Sequence, residues 1–420
     1  MDSQPVGHRQ RVIVLLHPTG LSVHDAQALA RSLPVLHSFS LVPGIVVHAS
    51  ASEIAALSRD ARVRHIWPDL RVRTCLNQSA PLVGAPPIWR SGWMGDGVRV
   101  CLIDTGLDLG HPDFAGRIDA THDFTGEGIA DRYGHGTHVA GIAVGSGAAS
   151  NGTYRGIAPK ARIMVAKALG NDGAGDSSKV MAALEWAVQQ KAQVINMSLG
   201  LPGPSNGDDP LSLAVDAAVQ SGVIVCVAAG NDGPGASTVG SPGANHRALT
   251  VGATTKQDVI ASFSSRGPTQ DGRVKPDLTA PGVNIVSCRA QGTALGTVID
   301  GHYMSLSGTS MATPHVAGAM ALLRQARPQA PIADLQQAVV DSLKKIAGGP
   351  DAVGQGRLLI PSPSSVPTSG GTETGSGCLI PASILWTFIR VGRSGLIPKG
   401  SIPQKAKHPT PAVHDPKAAD

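Results

Sequence analysis

The chain has 420 residues, 42% hydrophobic, 15% charged and only 3% aromatic, with a formal net charge of +5. That balance excludes a disordered chain or a coiled coil, and 51 glycines with 31 prolines but no G-X-Y period indicate many turns in a globular protein rather than a collagen. So small a positive excess, without a stripe of basic and aromatic residues, argues against nucleic acid as a partner, and the length allows two or three domains with sizeable cores.

Residues 1–10 read as a flexible start, and the apolar stretch that follows ends at His17, too short for a secretory leader. No uncharged apolar run reaches the ~18 residues that a membrane helix needs. Five cysteines, an odd number without CxxC spacing, argue against a disulfide scaffold or a zinc ribbon. A missing leader and unpaired cysteines point to the cytoplasm while the domain plan below points to export, so the compartment stays open.

Residues 11–74 form a small α+β unit in sequence. RVIVLL reads as a strand, SVHDAQALARSL as a helix opened by the capping-box pair Ser22 and Asp25, VLHSFSLV and GIVVHAS as strands, SEIAALSRD as a short helix and VRHIW as a closing strand. Strand, helix, strand, strand, helix, strand is the ferredoxin-like split βαβ order.

From about residue 75 to 360 the text changes to apolar runs punctuated by Gly and Pro: VRVCLI, ARIMVAKAL, AQVINMSL, VIVCVAA, ALTVGA and VNIVSC. Helical patterns follow several of them, as in SSKVMAALEWAVQQ, where Val180, Ala183, Leu184, Ala187 and Val188 sit at helical spacing. Near-continuous apolar strands alternating with helices predict a doubly wound α/β domain with a mostly parallel sheet covered on both faces. Residues 361–377 are a low-complexity linker. Residues 378–420 make a tail whose apolar segment, CLIPASILWTFI, is too short to span a bilayer.

Three islands could carry chemistry. Asp104 ends a strand, where doubly wound sheets build their sites, although Asp before Thr105-Gly106 also suits a turn. His135 opens a helix of small residues, Gly136, Ala140 and Gly141, and reads either as a base or as a packing residue. With His138 it makes an HxxH pair, which leaves a metal reading open, though no HExxH occurs. Ser310 opens the helix MATPHVAGAMALLRQ, where it or Thr309 could cap, and Pro314 is read as lying in the tolerant first turn. A serine oxygen there also sits among free N–H groups that would stabilise developing negative charge. Together they supply an acid, a base and a nucleophile in the chain order Asp, His, Ser.

The DTG, HGTHVAG and GTSMATPHVAG islands resemble the three active-site motifs of the subtilisin-like serine proteases, across residues 76–360. The resemblance implies that Asp104 orients His135, that His135 takes the proton of Ser310, and that Ser310 attacks a peptide carbonyl to form an acyl-enzyme. It implies an oxyanion hole from Asn231, in VAAGNDG, and the Ser310 backbone N–H. It implies an edge strand at Ser198, Leu199 and Gly200 that aligns extended polypeptide, with Gly230 and Asp232 shaping the pocket before the cut. Leu201 departs from the second glycine of many relatives, so specificity stays open. Residues 11–74 resemble the family's inhibitory propeptides, which implies a self-processing monomeric proenzyme cut in an exposed junction around residues 73–78; a permanent accessory domain is the other reading. No cofactor is required for the chemistry. Asp113 matches a residue that often helps hold structural calcium, but the loop GSGAASNGTYRG lacks acidic ligands. An esterase or acyl transferase using the same triad, or an inactive homologue serving as a binding module, are the alternatives.

Overall fold

The computed structural model describes residues 9–17, 33–39, 42–69, 71–74 (as backbone) and 79–365. The predicted helix at 22–33 and the tail beyond residue 365 fall outside them.

Four strands, β1 (Gln10–Leu16), β2 (Val35–Phe39), β3 (Gly44–Ala49) and β4 (Val63–Pro68), form an antiparallel sheet in the order β2-β3-β1-β4. This is the ferredoxin-like order predicted above. Alternation along β1 explains its unbroken apolar run: Val12, Val14 and Leu16 turn to helix α1 (Ala51–Leu57) with Ile45 and Val47, whereas Ile13 and Leu15 join Phe39 and Val46 on the other face. That second face packs against the larger domain. The start of α1 is held by a capping box between Ser50 and Glu53.

The larger domain has a helix α2 (Ala85–Arg90) and a seven-stranded parallel sheet. Its strands are β6 (Arg99–Asp104), β7 (Ile118–Asp123), β8 (Arg162–Lys167), β10 (Val194–Met197), β12 (Ile224–Ala228), β13 (Leu249–Thr254) and β14 (Leu278–Pro281), in the order β14-β13-β12-β10-β6-β8-β7. Helices α3 (His135–Val144) and α6 (Thr309–Ala326) cover one face. Helices α4 (Ser177–Gln189) and α5 (Pro210–Gln220) cover the other, and on them rest Ile13, Leu15, Phe39 and Val46 of the small sheet. Helix α7 (Ile332–Ser342) follows α6.

Two predictions need correcting. VNIVSC is not a strand of the central sheet: its β15 (Ile285–Cys288) pairs antiparallel with β17 (Tyr303–Leu306), which also holds β16 (Thr297–Val298). The parallel sheet instead takes β7 and β14, which no apolar run announced. β7 is an edge strand of alternating, partly exposed residues, IDATHD, so burial on both faces never shaped its composition.

Of the junction expected around residues 73–78, the described residues reach Thr74. Residues Arg71–Thr74 form β5, seated between β11 (Leu199–Gly200) and β9 (Ala174–Asp176) in a three-stranded antiparallel sheet. Thr74 pairs with Leu199, Arg73 with Gly200 and Ala174, and Arg71 with Asp176.

Candidate active site

Asp104 is the last residue of β6 and His135 the first of α3, both fully buried. The imidazole Nδ1–H donates to Asp104 Oδ1 at 2.5 Å, and the same oxygen accepts the Thr105 N–H at 2.8 Å. A charge-assisted bond of this length holds the ring in the Nδ1–H tautomer, leaving Nε2 as the basic nitrogen. Close approach of helix and loop demands glycine, because a Cβ on Gly136 would lie 2.2 Å from the Gly106 carbonyl oxygen.

Ser310 is the second residue of α6, whose N-cap is Gly308, so neither it nor Thr309 is the cap considered from sequence. Its hydroxyl donates to the Ser198 carbonyl at 2.9 Å, and the Ser198 hydroxyl donates to the Ser310 carbonyl at 2.7 Å. Pro314 explains the second bond. It lies inside the helix, beyond the first turn, and lacks the N–H that would have bonded the Ser310 carbonyl four residues back; Ser198 supplies the missing donor. Asn196 in turn donates to the Ser198 hydroxyl at 2.9 Å.

Asn231 follows β12 and turns its carbonyl oxygen to α6, accepting the Thr309 N–H at 2.9 Å. That bond leaves the side-chain NH₂ pointing away from the helix backbone. Gly230, at φ +107°, has its N–H on the Thr309 hydroxyl at 3.3 Å, and the exposed Asp232 is held through its N–H on the Ser265 hydroxyl at 3.1 Å. Leu199 and Gly200, expected to align substrate, form β11 and pair with β5. The strand on the other side of β5, Ala174–Asp176, escaped sequence reasoning; three residues in GAGD carry no apolar pattern, although Gly173 and Gly175 mark a close backbone approach.

His138 does not join His135 as a metal pair. Its Nε2 lies 3.1 Å from the Ile285 carbonyl and 3.2 Å from that of Met304, so its proton is committed to the β15–β17 hairpin, and burial pushes its pKa down to about 3. His315, also buried, is lowered to about 4 and accepts the Ser79 N–H at 2.7 Å. Among the described residues one group of three potential ligands lies close together: His111, Asp113 and Cys288. Both oxygens of Asp113 are already engaged by donors: the Gly147 and Ala149 N–H groups at 3.1 and 3.0 Å, the Tyr303 hydroxyl, and the Cys288 thiol at 3.4 Å. His111 Nδ1 accepts the Asp113 N–H. The loop turns N–H groups, not carbonyls, toward the carboxylate, which does not fit a cation that takes six to eight oxygens.

The small sheet adds its own charged contact at β9 and the start of α4. Asp69 accepts the Ser178 N–H at 2.7 Å and the Ser178 hydroxyl, capping α4 from outside, while Arg11 bridges Asp69 and Asp176 at 2.8 Å each. Burial pushes the Asp69 carboxyl upward against the pull of Ser178 and Arg11.

Residues 95–356 match the family described as the subtilase family. The chain is 38% identical over 298 residues to "Serine protease AprX" of Bacillus subtilis (strain 168), spanning 65% of this chain and 67% of that protein. It is 39% identical over 302 residues to "Alkaline protease" of Alkalihalobacillus alcalophilus, spanning 70% and 73%, and 36% identical over 259 residues to the "Major intracellular serine protease" of Bacillus subtilis (strain 168), spanning 59% and 75%. On the parallel sheet, the three motif islands and these matches together, the chain belongs to the subtilase family and is a serine endopeptidase acting on polypeptides.

Proposed function

We propose that Asp104, His135 and Ser310 are the catalytic triad of an enzyme made as a self-processing proenzyme, with residues 11–74 as its intramolecular inhibitor. Asp104 keeps the His135 Nδ1–H in place; the hydroxyl of Ser310 turns from the Ser198 carbonyl to His135 Nε2, loses its proton there and attacks the scissile carbonyl. The Asn231 NH₂ and the Ser310 N–H, which as second amide of α6 has no carbonyl of its own helix to bond, take the oxyanion. The proton on Nε2 passes to the leaving amine, and water then releases the acyl group. Leu199–Gly200 and Ala174–Asp176 bind substrate as an added strand, with Gly230 and Asp232 bounding the pocket before the cut. No metal takes part, and the donors around Asp113 stand where calcium would otherwise be held.

The observation that carries this reading is β5. Thr74 pairs with Leu199, the residue after Ser198, whose carbonyl receives the Ser310 hydroxyl, and Ser79, the next described residue, is tied to His315 on the same helix as Ser310. The processing cut falls between Thr74 and Ser79. Purified Ser310→Ala is expected to stay full length and to resist a fluorophosphonate that labels the wild type; maturation of Ser310→Ala at the wild-type rate, with other proteases excluded, would falsify self-processing.

A further inference from the structure

Asp131 stands between the two loops that present the acid and the base, and nothing in the reaction as described uses it. It is 5% exposed. One oxygen accepts the Thr105 hydroxyl at 2.9 Å, the Gly134 N–H at 2.7 Å and the Tyr133 N–H at 3.2 Å; the other accepts the Thr137 N–H at 2.8 Å. The Thr105 oxygen is itself the acceptor for the Gly136 N–H at 2.8 Å. Thus the N–H groups of Gly134, Gly136 and Thr137, which flank His135 and open its helix, end on a single carboxylate either directly or through Thr105. Thr105 adjoins Asp104.

The backbone repeats the connection. Residues 129–131 run beside 105–107, with the Leu107 N–H on the Ile129 carbonyl at 3.1 Å and the Asp131 N–H on the Leu107 carbonyl at 3.3 Å. Lys167, at the end of β8 and opposite Asp104 in the sheet, donates to the Ala130 carbonyl at 2.9 Å. A carboxylate so deeply buried is costly to keep there without donors, and here it has four. Such density of bonds at the junction of the acid loop and the base helix exceeds what a single helix cap needs.

We propose that Asp131 is a positioning residue for peptide hydrolysis: through Thr105 and the amides of Gly134 and Thr137 it locks the Asp104 loop to the first turn of α3, so that Asp104 and His135 meet at hydrogen-bond distance. The inference rests on the triad assignment above. It predicts a loss in turnover rather than in substrate binding, because the cleft edges at 174–176 and 199–200 lie on other segments.

The test uses Asp131→Asn, which puts an NH₂ where an acceptor is needed, and the pair Thr105→Val and Thr105→Ser. Kinetics are read on matured enzyme and the His135 Nδ1 proton by NMR on the full-length chain. Asp131→Asn and Thr105→Val should each lower kcat by roughly 10- to 100-fold with KM within about 2-fold, since displacing a catalytic group by about 1 Å costs rate on that scale. The far-downfield Nδ1 proton should shift or broaden in both, and Thr105→Ser, which keeps the hydroxyl, should recover most of the loss. Wild-type kcat and an unchanged Nδ1 proton in Asp131→Asn would overturn the proposal, as would Thr105→Ser failing like Thr105→Val. Should Asp131→Asn not fold, the Thr105 pair decides. A wild-type enzyme without peptidase activity would instead overturn the triad assignment, and the Nδ1 proton would still report on Asp131.

Discussion

Helices α3 and α4 each receive a buried aspartate on the first turn, yet from different places. Asp131 reaches α3 from a loop of the same domain, four residues before the helix begins, and its bonds run back to the acid loop. Asp69 reaches α4 from the end of the small sheet, more than a hundred residues earlier, and shares Arg11 with Asp176. One cap is internal to the catalytic domain; the other belongs to a unit whose removal would take it away. The energies differ in kind as well. Ile13, Leu15, Phe39 and Val46, at about 1.5 to 3 kcal/mol per fully buried side chain, outweigh the Asp69 cap at about 0.5 to 2 kcal/mol. Apolar burial therefore supplies most of the docking strength, and the polar cap selects where along α4 the small sheet sits.

The sharpest way to break this division is to separate catalysis from docking. Asn231→Ala should lower kcat of the matured enzyme by about 10² to 10³-fold with KM little changed, a magnitude taken from another member of this family, whereas matured Asp69→Ala should match wild type. Asp69 leaves with residues 11–74, so a fall in kcat in matured Asp69→Ala would mean that the small sheet stays with the enzyme after the cut.

Next in size is a pH effect confined to the catalytic domain. Below pH about 6.5 the unfolded chain protonates the rings of His138 and His315, while the folded protein refuses those protons until pH about 3 and about 4. Stability present above pH 6.5 is consequently lost as pH falls, by about 1.4 kcal/mol per pH unit for each ring. In urea unfolding of full-length Ser310→Ala between pH 6.5 and 4.5, His315→Gln should reduce that loss by about 1 to 3 kcal/mol. An unchanged slope would show that His315 takes up its proton in the folded state.

Smaller again is the external cap. In full-length Ser310→Ala, Asp69→Ala should raise the opened fraction of the 71–74 strand about 5- to 30-fold, the equivalent of 1 to 2 kcal/mol, as read by amide hydrogen exchange. Exchange at the parental rate would leave docking to the apolar face alone. The smallest expected effect is none: because Asp113 is filled by N–H, O–H and S–H donors, EDTA or millimolar calcium should leave the melting temperature of the catalytic domain within about 1 °C. A rise of several degrees with calcium would place an ion on other oxygens.

Much of this molecule could be read from its text. The alternating and near-continuous apolar runs determined a small antiparallel unit followed by a doubly wound parallel domain, since burial on one face or two dictates side-chain periodicity locally. The three motif islands were legible because their residue types and chain order are themselves the signal, whereas Asn231 was reached only through the family resemblance. What tertiary structure alone decided are pairings across distance: β5 between β9 and β11, Ser198 filling the bond that Pro314 leaves open, His138 committed to a hairpin rather than to a metal, and Asp69 and Asp131 capping two different helices. A carboxylate in a loop looks the same in sequence whether it meets solvent or four buried donors. Its partners are set by how sheets and helices stack, and that depends on the whole core rather than on any neighbour in the chain.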